Sequence, residues 1–257
     1  MKEETVDIAV SDVLSARKVS GDMIETGDAS IAIGGWIGSK DRKDVKVGEG
    51  SVAITGIGDA KTPRYSIALV GDSGTASSGP SGASIVRGDG CAHSADGSVA
   101  YVIGWQGYAT AGNGAIAACH HDGIAGAGVQ SIAATNSFAA IVGSGGIASV
   151  RKRGGHAEAG ENGIAICWND VSDGNVRRPL DCTKNDPAFQ DAASRVQADT
   201  LRAGNGGLLI TVYKDSKGQP QFVIGAVGSG DIRFQSGLEA NRPYRLSDDG
   251  VLQPVAK

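Results

Sequence analysis

The sequence predicts a mainly β protein: a single-stranded β-solenoid of about 16 residues per coil, closed at its C-terminal end by a small α+β cap. Three observations lead to this fold class. An Ile/Val-Ala step recurs along the chain, the apolar residues around each step alternate, and forty glycines, together with Asp, Asn and Ser, lie between these runs.

The recurring step is an Ile or Val that is followed by Ala in all but one copy. It falls at positions 31, 52, 67, 85, 99, 116, 132, 147 and 164, so the intervals are 21, 15, 18, 14, 17, 16, 15 and 17 residues. Units of this size are too short for helix-pair repeats, leucine-rich repeats or propeller blades. They fit one coil of a β-solenoid.

The residues within each unit predict strands joined by tight corners. Val99, Tyr101 and Ile103 alternate with smaller residues, as in a strand with one buried face, so we expect the repeating Ile and Val to point into the coil. Gly, Asp, Asn and Ser between the runs accept the backbone conformations that corners require. Coils stacked about 4.8 Å apart would form a rod of about 40 Å between Ile31 and Ile164.

The chain divides into three expected segments: an N-terminal cap at residues 1–21, the solenoid at 22–183, and a C-terminal cap at 184–257. In this last segment, residues 186–203 begin with Asp-Pro and carry an apolar stripe, which predicts a helix whose last part could instead be an irregular coil. Residues 208–213 and 221–227 read as a β-hairpin, and residues 244–246 with 251–252 would complete an antiparallel sheet over the last coil.

Composition limits the classes of partner. The net charge of −4 and the pI near 5.6 give no general attraction to nucleic acid or to anionic lipid. No stretch has the length and apolarity of a signal peptide core or a membrane helix, so we expect a cytoplasmic protein without membrane contact. The four cysteines have no short mutual spacing and are expected to be buried free thiols.

Two resemblances rest on these repeats. The sequence Gly-Asp-Ala-Ser-Ile-Ala-Ile-Gly at residues 27–34, with its later copies to about residue 166, resembles the head repeats of trimeric autotransporter adhesins, which are left-handed β-rolls. The order of Ala-rich coils, the hairpin and the segment at residues 242–250 is similar to the C-terminal half of uncharacterised phage and bacterial β-solenoid proteins. Both resemblances imply a solenoid fold, and neither implies an activity.

No constellation of residues predicts a catalytic site, a metal site or a cofactor. Residues 91–93 (Cys-Ala-His) and 119–122 (Cys-His-His-Asp) contain zinc-ligating types, but they fall at different places in their coils and are interpreted as corner residues. No nucleophile lies on a recognisable strained turn, and no phosphate-binding loop precedes a helix. Hexapeptide acyltransferases build each triangular coil from three groups of six residues. Intervals of 14 to 17 residues do not fit this pattern, which disfavours acyl transfer.

The residue after each repeat position is the main candidate for a binding surface. If the repeating Ile and Val point inward, strand alternation turns the following alanines outward. They would then form a flat apolar ladder that meets a partner. The alternative is that the twist of the roll or a corner loop covers the ladder, or that alanine is present because a narrow roll accepts nothing larger. The ladder residues proposed for the interface are Ala100, Ala117, Ala133, Ala148 and Ala165.

The function expected from the sequence is therefore a non-catalytic interaction module that binds a partner protein or a second copy of itself. A cognate inhibitor, such as a toxin-immunity protein, or a phage accessory factor would fit an acidic chain of this format. The alternative is an enzyme or small-ligand binder with a cleft between the last coils and the C-terminal sheet. That cleft would lie near Trp168, Arg177, Arg178 and Tyr213.

Overall fold

The structure, a computed structural model, describes residues 16–20, 23–34, 42–152, 155–170, 200–214, 219–228 and 235–255. Within these ranges the chain forms strands and turns, without a helix. The strands are β1 (Ala16–Ser20), β2 (Met23–Thr26), β3 (Ile31–Ile33), β4 (Asp44–Lys46), β5 (Val52–Ile57), β6 (Ala60–Thr62), β7 (Ile67–Ser78), β8 (Ala83–Val86), β9 (Asp89–Ser94), β10 (Val99–Val102), β11 (Gln106–Ala111), β12 (Ile116–Ala127), β13 (Ile132–Val142), β14 (Ile147–Lys152), β15 (His156–Ala159), β16 (Ile164–Asp170), β17 (Thr200–Ala203), β18 (Leu208–Lys214), β19 (Pro220–Val227), β20 (Gln235–Leu238), β21 (Tyr244–Leu246) and β22 (Leu252–Pro254).

The strands stack as the coils of a β-solenoid, which confirms the predicted fold class. The strands that begin at the repeat positions pair in parallel from β3 through β5, β8, β10, β14 and β16 to β18, and we call this layer the first sheet. The strands that follow in each coil form the second sheet, from β4 through β6, β9, β11 and β15 to β17. The long strands β7, β12 and β13 contribute to both sheets.

The register corrects one repeat position. Ala83, not Ile85, pairs with both Ile67 and Val99, and Ile85 pairs with Leu69 and Tyr101. The irregular intervals of 18 and 14 residues therefore become two intervals of 16, measured from position 67 to 83 and from 83 to 99. The repeat position at 83 was missed because an alanine stands there in place of Ile or Val.

The inside and the outside of the first sheet are the reverse of the expectation. The alanines that follow the repeat positions are fully buried, whereas Ile31, Ile67 and Ile116 are exposed. The reason is the narrowness of the coil. Alanines of the second sheet, such as Ala109 and Ala125, also point inward and are fully buried. Two inward-facing columns of methyl groups leave no room for an isoleucine in either of them.

The corners keep one backbone conformation from coil to coil. Gly50, Gly97 and Gly114 have φ between 60° and 65° at the second turn residue, and Gln130 occupies the same position at φ 53°. Glycine reaches this region without strain, which explains its recurrence. Asn113 links successive corners, since its Oδ1 accepts a hydrogen bond from the backbone N–H of Val129 at 2.8 Å.

Antiparallel strands lie at both ends of the stack. β1 pairs antiparallel with β2 of the first coil, and the predicted hairpin is confirmed as β18 with β19. β21 and β22 form the second predicted antiparallel pair, and β21 joins β17. The expected helix at 186–203 lies outside the described residues up to position 199. Its last four residues are strand β17, which stacks in parallel on β15 as a further coil.

Candidate functional site

The outer surface of the first sheet carries two columns of side chains, which together we call the aliphatic face. Its ten levels are called rungs and are numbered from the N-terminal end. The first column is Ile31, Val52, Ile67, Ala83, Val99, Ile116, Ile132, Ile147, Ile164 and Leu208, and the second is Ile33, Ile54, Leu69, Ile85, Tyr101, Ala118, Ala134, Ser149, Ile166 and Ile210.

The aliphatic face is exposed or half-buried along its length. Ile31 is 47% exposed at one end, Ile116 and Ile132 are 43% and 42% exposed in the middle, and Ile147 is 37% exposed. Single exposed apolar residues are common on proteins, but a contiguous strip that spans ten rungs is not. Neither column contains a charged residue. The arrangement is suited to apolar contact with another surface.

The second column is not uniform in size. Bulky residues occupy rungs 1 to 5, ending at Tyr101, and small residues occupy rungs 6 to 8, namely Ala118, Ala134 and Ser149. The missing side-chain volume leaves a groove of about 500 Å³ in the face. Tyr101 lies at one end of the groove and Trp168 at the other. The face therefore has a raised half and a recessed section.

A polar rim borders the groove where the first sheet turns towards the second. His120, Asn136 and Arg151 line this side. The Nδ2 of Asn136 donates a hydrogen bond to the backbone oxygen of His120. His121 stacks on Trp105 with ring centres 4.3 Å apart and an interplanar angle of 9°. The rim holds its side chains in place through such contacts and supplies hydrogen-bonding groups beside an apolar floor.

The predicted alanine ladder is not a surface. All five of its residues, Ala100, Ala117, Ala133, Ala148 and Ala165, have no exposed area and belong to the core. They cannot contact a partner, so the outward ladder was a wrong prediction. Of its alternatives, the narrow roll is the correct one. The residues that could form an interface are the neighbouring Ile and Val, which the sequence analysis assigned to the interior.

The predicted cleft residues are placed only in part. Trp168 is 46% exposed and lines the groove. Tyr213 is half-buried on β18, where it pairs with Asn169 of β16, one position beyond Trp168. Arg177 and Arg178 lie outside the described residues. A cleft against the C-terminal sheet therefore stays a prediction, while Trp168 borders the groove in the aliphatic face.

A buried polar cluster on the second sheet escaped the sequence analysis. The Nδ1 of His156 and the Oγ1 of Thr200 are hydrogen-bonded at 2.7 Å, and the Nε2 of His156 lies 3.3 Å from Glu158 Oε2. Arg202 Nη1 lies 3.5 Å from the same carboxylate oxygen. Hydroxyl, imidazole and carboxylate follow one another as in a catalytic triad. Thr200 and His156 are each only 1% exposed, so the cluster joins β15 to β17 and offers no access to a substrate.

The cysteine-containing segments do not meet. Cys91 packs against Tyr108 on the outer side of the second sheet, whereas Cys119 points into the coil. Across the described part of the chain, no three His, Cys, Asp or Glu side chains lie close enough to hold a metal ion. Burial raises the pKa of the Cys119 thiol to about 12, against a smaller lowering by a backbone hydrogen bond at Ala109. Cys91, Cys119 and Cys167 are buried free thiols, as predicted, and Cys182 lies outside the described residues.

No helix in the described ranges is long and apolar enough to cross a membrane. Comparisons of the chain with protein-family models, with curated proteins and with solved structures find no match. Its function has to be argued from its own residues.

Proposed function

We propose that the protein is a non-catalytic binding module that contacts another protein chain through the aliphatic face. The observation that carries the proposal is the row of apolar side chains, exposed on six rungs and half-buried on the other four, that continues over all ten rungs. Each such side chain costs free energy while it faces water, about 25 cal/mol for every Å² of apolar area. A partner that covers the row recovers this free energy.

The dimensions of the face support a protein partner. Nine steps of about 4.8 Å between strands give a length of about 43 Å. Each column takes up two residues along its strand, about 6.6 Å, so the two columns together are about 13 Å wide. The flat footprint is thus on the order of 560 Å² on one side, before the relief of the side chains is counted. Specific protein interfaces bury about 800 Å² on each partner, so the flat footprint lies at the low end of their range and the relief of the side chains adds to it.

The groove favours a second candidate, a small-ligand site. Ala118, Ala134 and Ser149 form its floor, and Trp168 and Arg151 are on its border. A planar ligand could stack on the indole while the guanidinium binds an anionic group. Such a ligand would fill only the recessed section and would leave the other rungs exposed to water. A protein partner covers the whole face and is therefore the better account.

The decisive experiment places a charge in the centre of the face. Ile132→Glu puts a carboxylate where an apolar contact is proposed, and Val129→Glu is the matched control. Val129 is also a branched aliphatic residue, 46% exposed, but it lies at the neighbouring corner and not on the face. The full chain is used to capture a partner, whose identity is established and whose affinity is then measured with purified proteins.

We expect Ile132→Glu to weaken binding at least about 30-fold, which corresponds to the 2 kcal/mol or more typical of a central interface residue. Val129→Glu should leave the affinity within about threefold of the wild type. Circular dichroism checks that both variants remain folded. Equal effects of the two substitutions, or a wild-type protein that associates with no chain, its own included, would overturn the proposal.

A further inference from the structure

We propose that the partner is a second copy of this chain, packed face to face in an antiparallel, two-fold symmetric dimer. This inference rests on the proposed function and names its partner. It follows from the distribution of large and small residues along the second column.

The geometry of a two-fold axis determines which residues meet. An axis that lies between the two faces and runs along the strands brings each column opposite its own copy and reverses the order of the rungs. With all ten rungs overlapping, rung 1 faces rung 10, and rungs 3, 4 and 5 face rungs 8, 7 and 6. The two copies then cover each other over all ten rungs, and β19, which pairs with β18 beyond rung 10, extends past the overlap at each end.

This register places every small residue of the second column opposite a large one. Leu69 on rung 3 faces Ser149 of the other copy on rung 8. Ile85 on rung 4 faces Ala134 on rung 7, and Tyr101 on rung 5 faces Ala118 on rung 6. The raised half of one copy thus fills the recessed section of the other, and by symmetry the reverse contact is made as well.

The groove is explained by the same packing. Interfaces reach the packing density of protein interiors at their centres, so an unfilled groove of about 500 Å³ would oppose a flat apolar partner. Two copies in the antiparallel register fill two grooves with Leu69, Ile85 and Tyr101. In a parallel arrangement each rung faces itself and the first column faces the second. The groove would then receive Ile116, Ile132 and Ile147, but Leu69 and Tyr101 would face Ile67 and Val99 and not the small residues.

The area is adequate for a stable dimer. Two footprints on the order of 560 Å² bury more than about 1,100 Å² in total, above the roughly 1,000 Å² expected of a biological interface. The two columns hold no charged residue, and the charged side chain that lines the groove, Arg151, lies on its exposed rim, where it can stay in contact with water. The net charge of −4 on each copy is spread over the remaining surface and is screened at physiological salt.

The test uses two single variants and their mixture. Ile85→Ala leaves both copies small at rungs 4 and 7, so its homodimer contains two voids. Ala134→Ile makes both copies large there, so its homodimer contains two clashes. A heterodimer of the two variants pairs Ala with Ile at both contacts and is as complementary as the wild type. Neither substitution touches the buried core, because Ile85 and Ala134 point outward from the first sheet.

The association constant of each protein and of the mixture is measured by analytical ultracentrifugation, with one variant carrying a mass tag. We expect each variant alone to self-associate at least about tenfold more weakly than the wild type and the mixture to recover to within about threefold. A control mixture of Ala134→Ile with Ile54→Ala, which alters rung 2, keeps one clash and one void, so its heterodimer should be no stronger than the mean of the two parents.

Failure of this inference and failure of the proposed function give different results. A wild-type chain that stays monomeric, or a mixture that is no stronger than its parts, overturns the antiparallel dimer. If a different protein is then bound in a manner that Ile132→Glu abolishes and Val129→Glu does not, the proposed function stands with another partner. Far-ultraviolet circular dichroism and urea unfolding of each variant separate loss of association from loss of fold.

Discussion

Neighbouring alanines at positions 117 and 118 show how sharply the two sides of the first sheet differ. Ala117 has no exposed area and lies in the central core cluster. Ala118 is half-buried, points outward and lines the groove. The same side chain therefore meets a filled space at one position and an open one at the next.

Enlarging these two alanines should have opposite consequences for stability. Ala117→Leu forces three extra carbons between two closely spaced sheets and should lower the free energy of unfolding by about 3 kcal/mol or more. Ala118→Leu extends into the groove and should change it by less than about 0.5 kcal/mol. Urea unfolding at a concentration where the chain is monomeric measures both values. Equal losses would contradict the assignment of inside and outside.

Residue spacing predicted which positions stack but not which way they face. The column of Ile and Val and the column of Ala are both apolar, and alternation alone assigns either to the interior. Side-chain volume decides between them, because alanines of the second sheet such as Ala125 face the interior from the other side. That opposition depends on how the sheets pack across the coil, which no local pattern records.

The thiol of Cys119 provides a test that depends on pH. Its Sγ donates to the backbone oxygen of Ile124 at 3.2 Å, and burial raises its pKa to about 12. The folded chain therefore keeps a proton that the unfolded chain releases near pH 9. Between pH 9 and about 12 the folded state binds more protons, so this group's contribution to stability is present below that window and falls as pH rises through it.

We expect Cys119 to resist alkylation at pH 8.5, because the thiolate is the reactive species and is scarcely populated in the fold. Peptide mapping by mass spectrometry after treatment with iodoacetamide measures the reaction at this residue. In urea the same residue should be modified readily. Rapid labelling of Cys119 in the folded protein would contradict its burial.

At the scale of elements, the C-terminal end differs from the rest of the stack in the size of its core residues. Leu209 of β18 takes the place of the alanine column in the first sheet, and Leu201 of β17 does so in the second. Both are fully buried, together with Tyr244 and Leu252 from the final pair of strands. These larger side chains fill the space where the next coil would have stacked and so close the hydrophobic interior.

Removing one of these side chains should open a cavity at the end of the stack. Leu209→Ala is expected to lower the free energy of unfolding by about 2 to 5 kcal/mol. Leu208→Ala, one position earlier, removes the same atoms from the half-exposed outer side and should cost less than about 1.5 kcal/mol. Thermal and urea unfolding provide the measurement. A larger loss for Leu208 than for Leu209 would contradict the described packing.

The elements of the C-terminal cap show where sequence reasoning succeeds and where it fails. The hairpin was predictable because residues 208–213 and 221–227 alternate around a short polar turn. Residues 200–203 were assigned to a helix by their apolar spacing, with a final irregular coil as the alternative, and the alternative is confirmed because they form β17. Leu201 and Ala203 continue the inward columns of β15, and pairing with that strand outweighs the local preference of four residues.

For the molecule as a whole, the sequence predicted the architecture but not the surface on which the proposed function rests. The repeat gave the stacked coils, and Trp168 was identified as a candidate binding residue. The aliphatic face was missed because its residues had been assigned to the core. A signal for it is present in the sequence: a narrow coil filled by two columns of alanine cannot also contain a column of isoleucine.

At this scale the recessed section of the second column matters more than any single residue in it. One alanine beside bulky neighbours would be a local irregularity. Three consecutive small residues on rungs 6 to 8 lie at the mirror positions of large residues on rungs 3 to 5, and this complementarity is the basis of the proposed antiparallel dimer.

The uneven spacing of the coils also has a kinetic consequence. Most neighbouring strands close loops of about 16 residues, as Ala115 and Ser131 illustrate, whereas the contact between His156 and Thr200 closes one of 44. Loop-closure entropy makes the longer step about 0.9 kcal/mol harder to initiate. Folding that starts in the middle coils therefore proceeds quickly as far as β15 and is slower beyond it. Leu201 and Leu209, which close the hydrophobic interior, are then the last to pack.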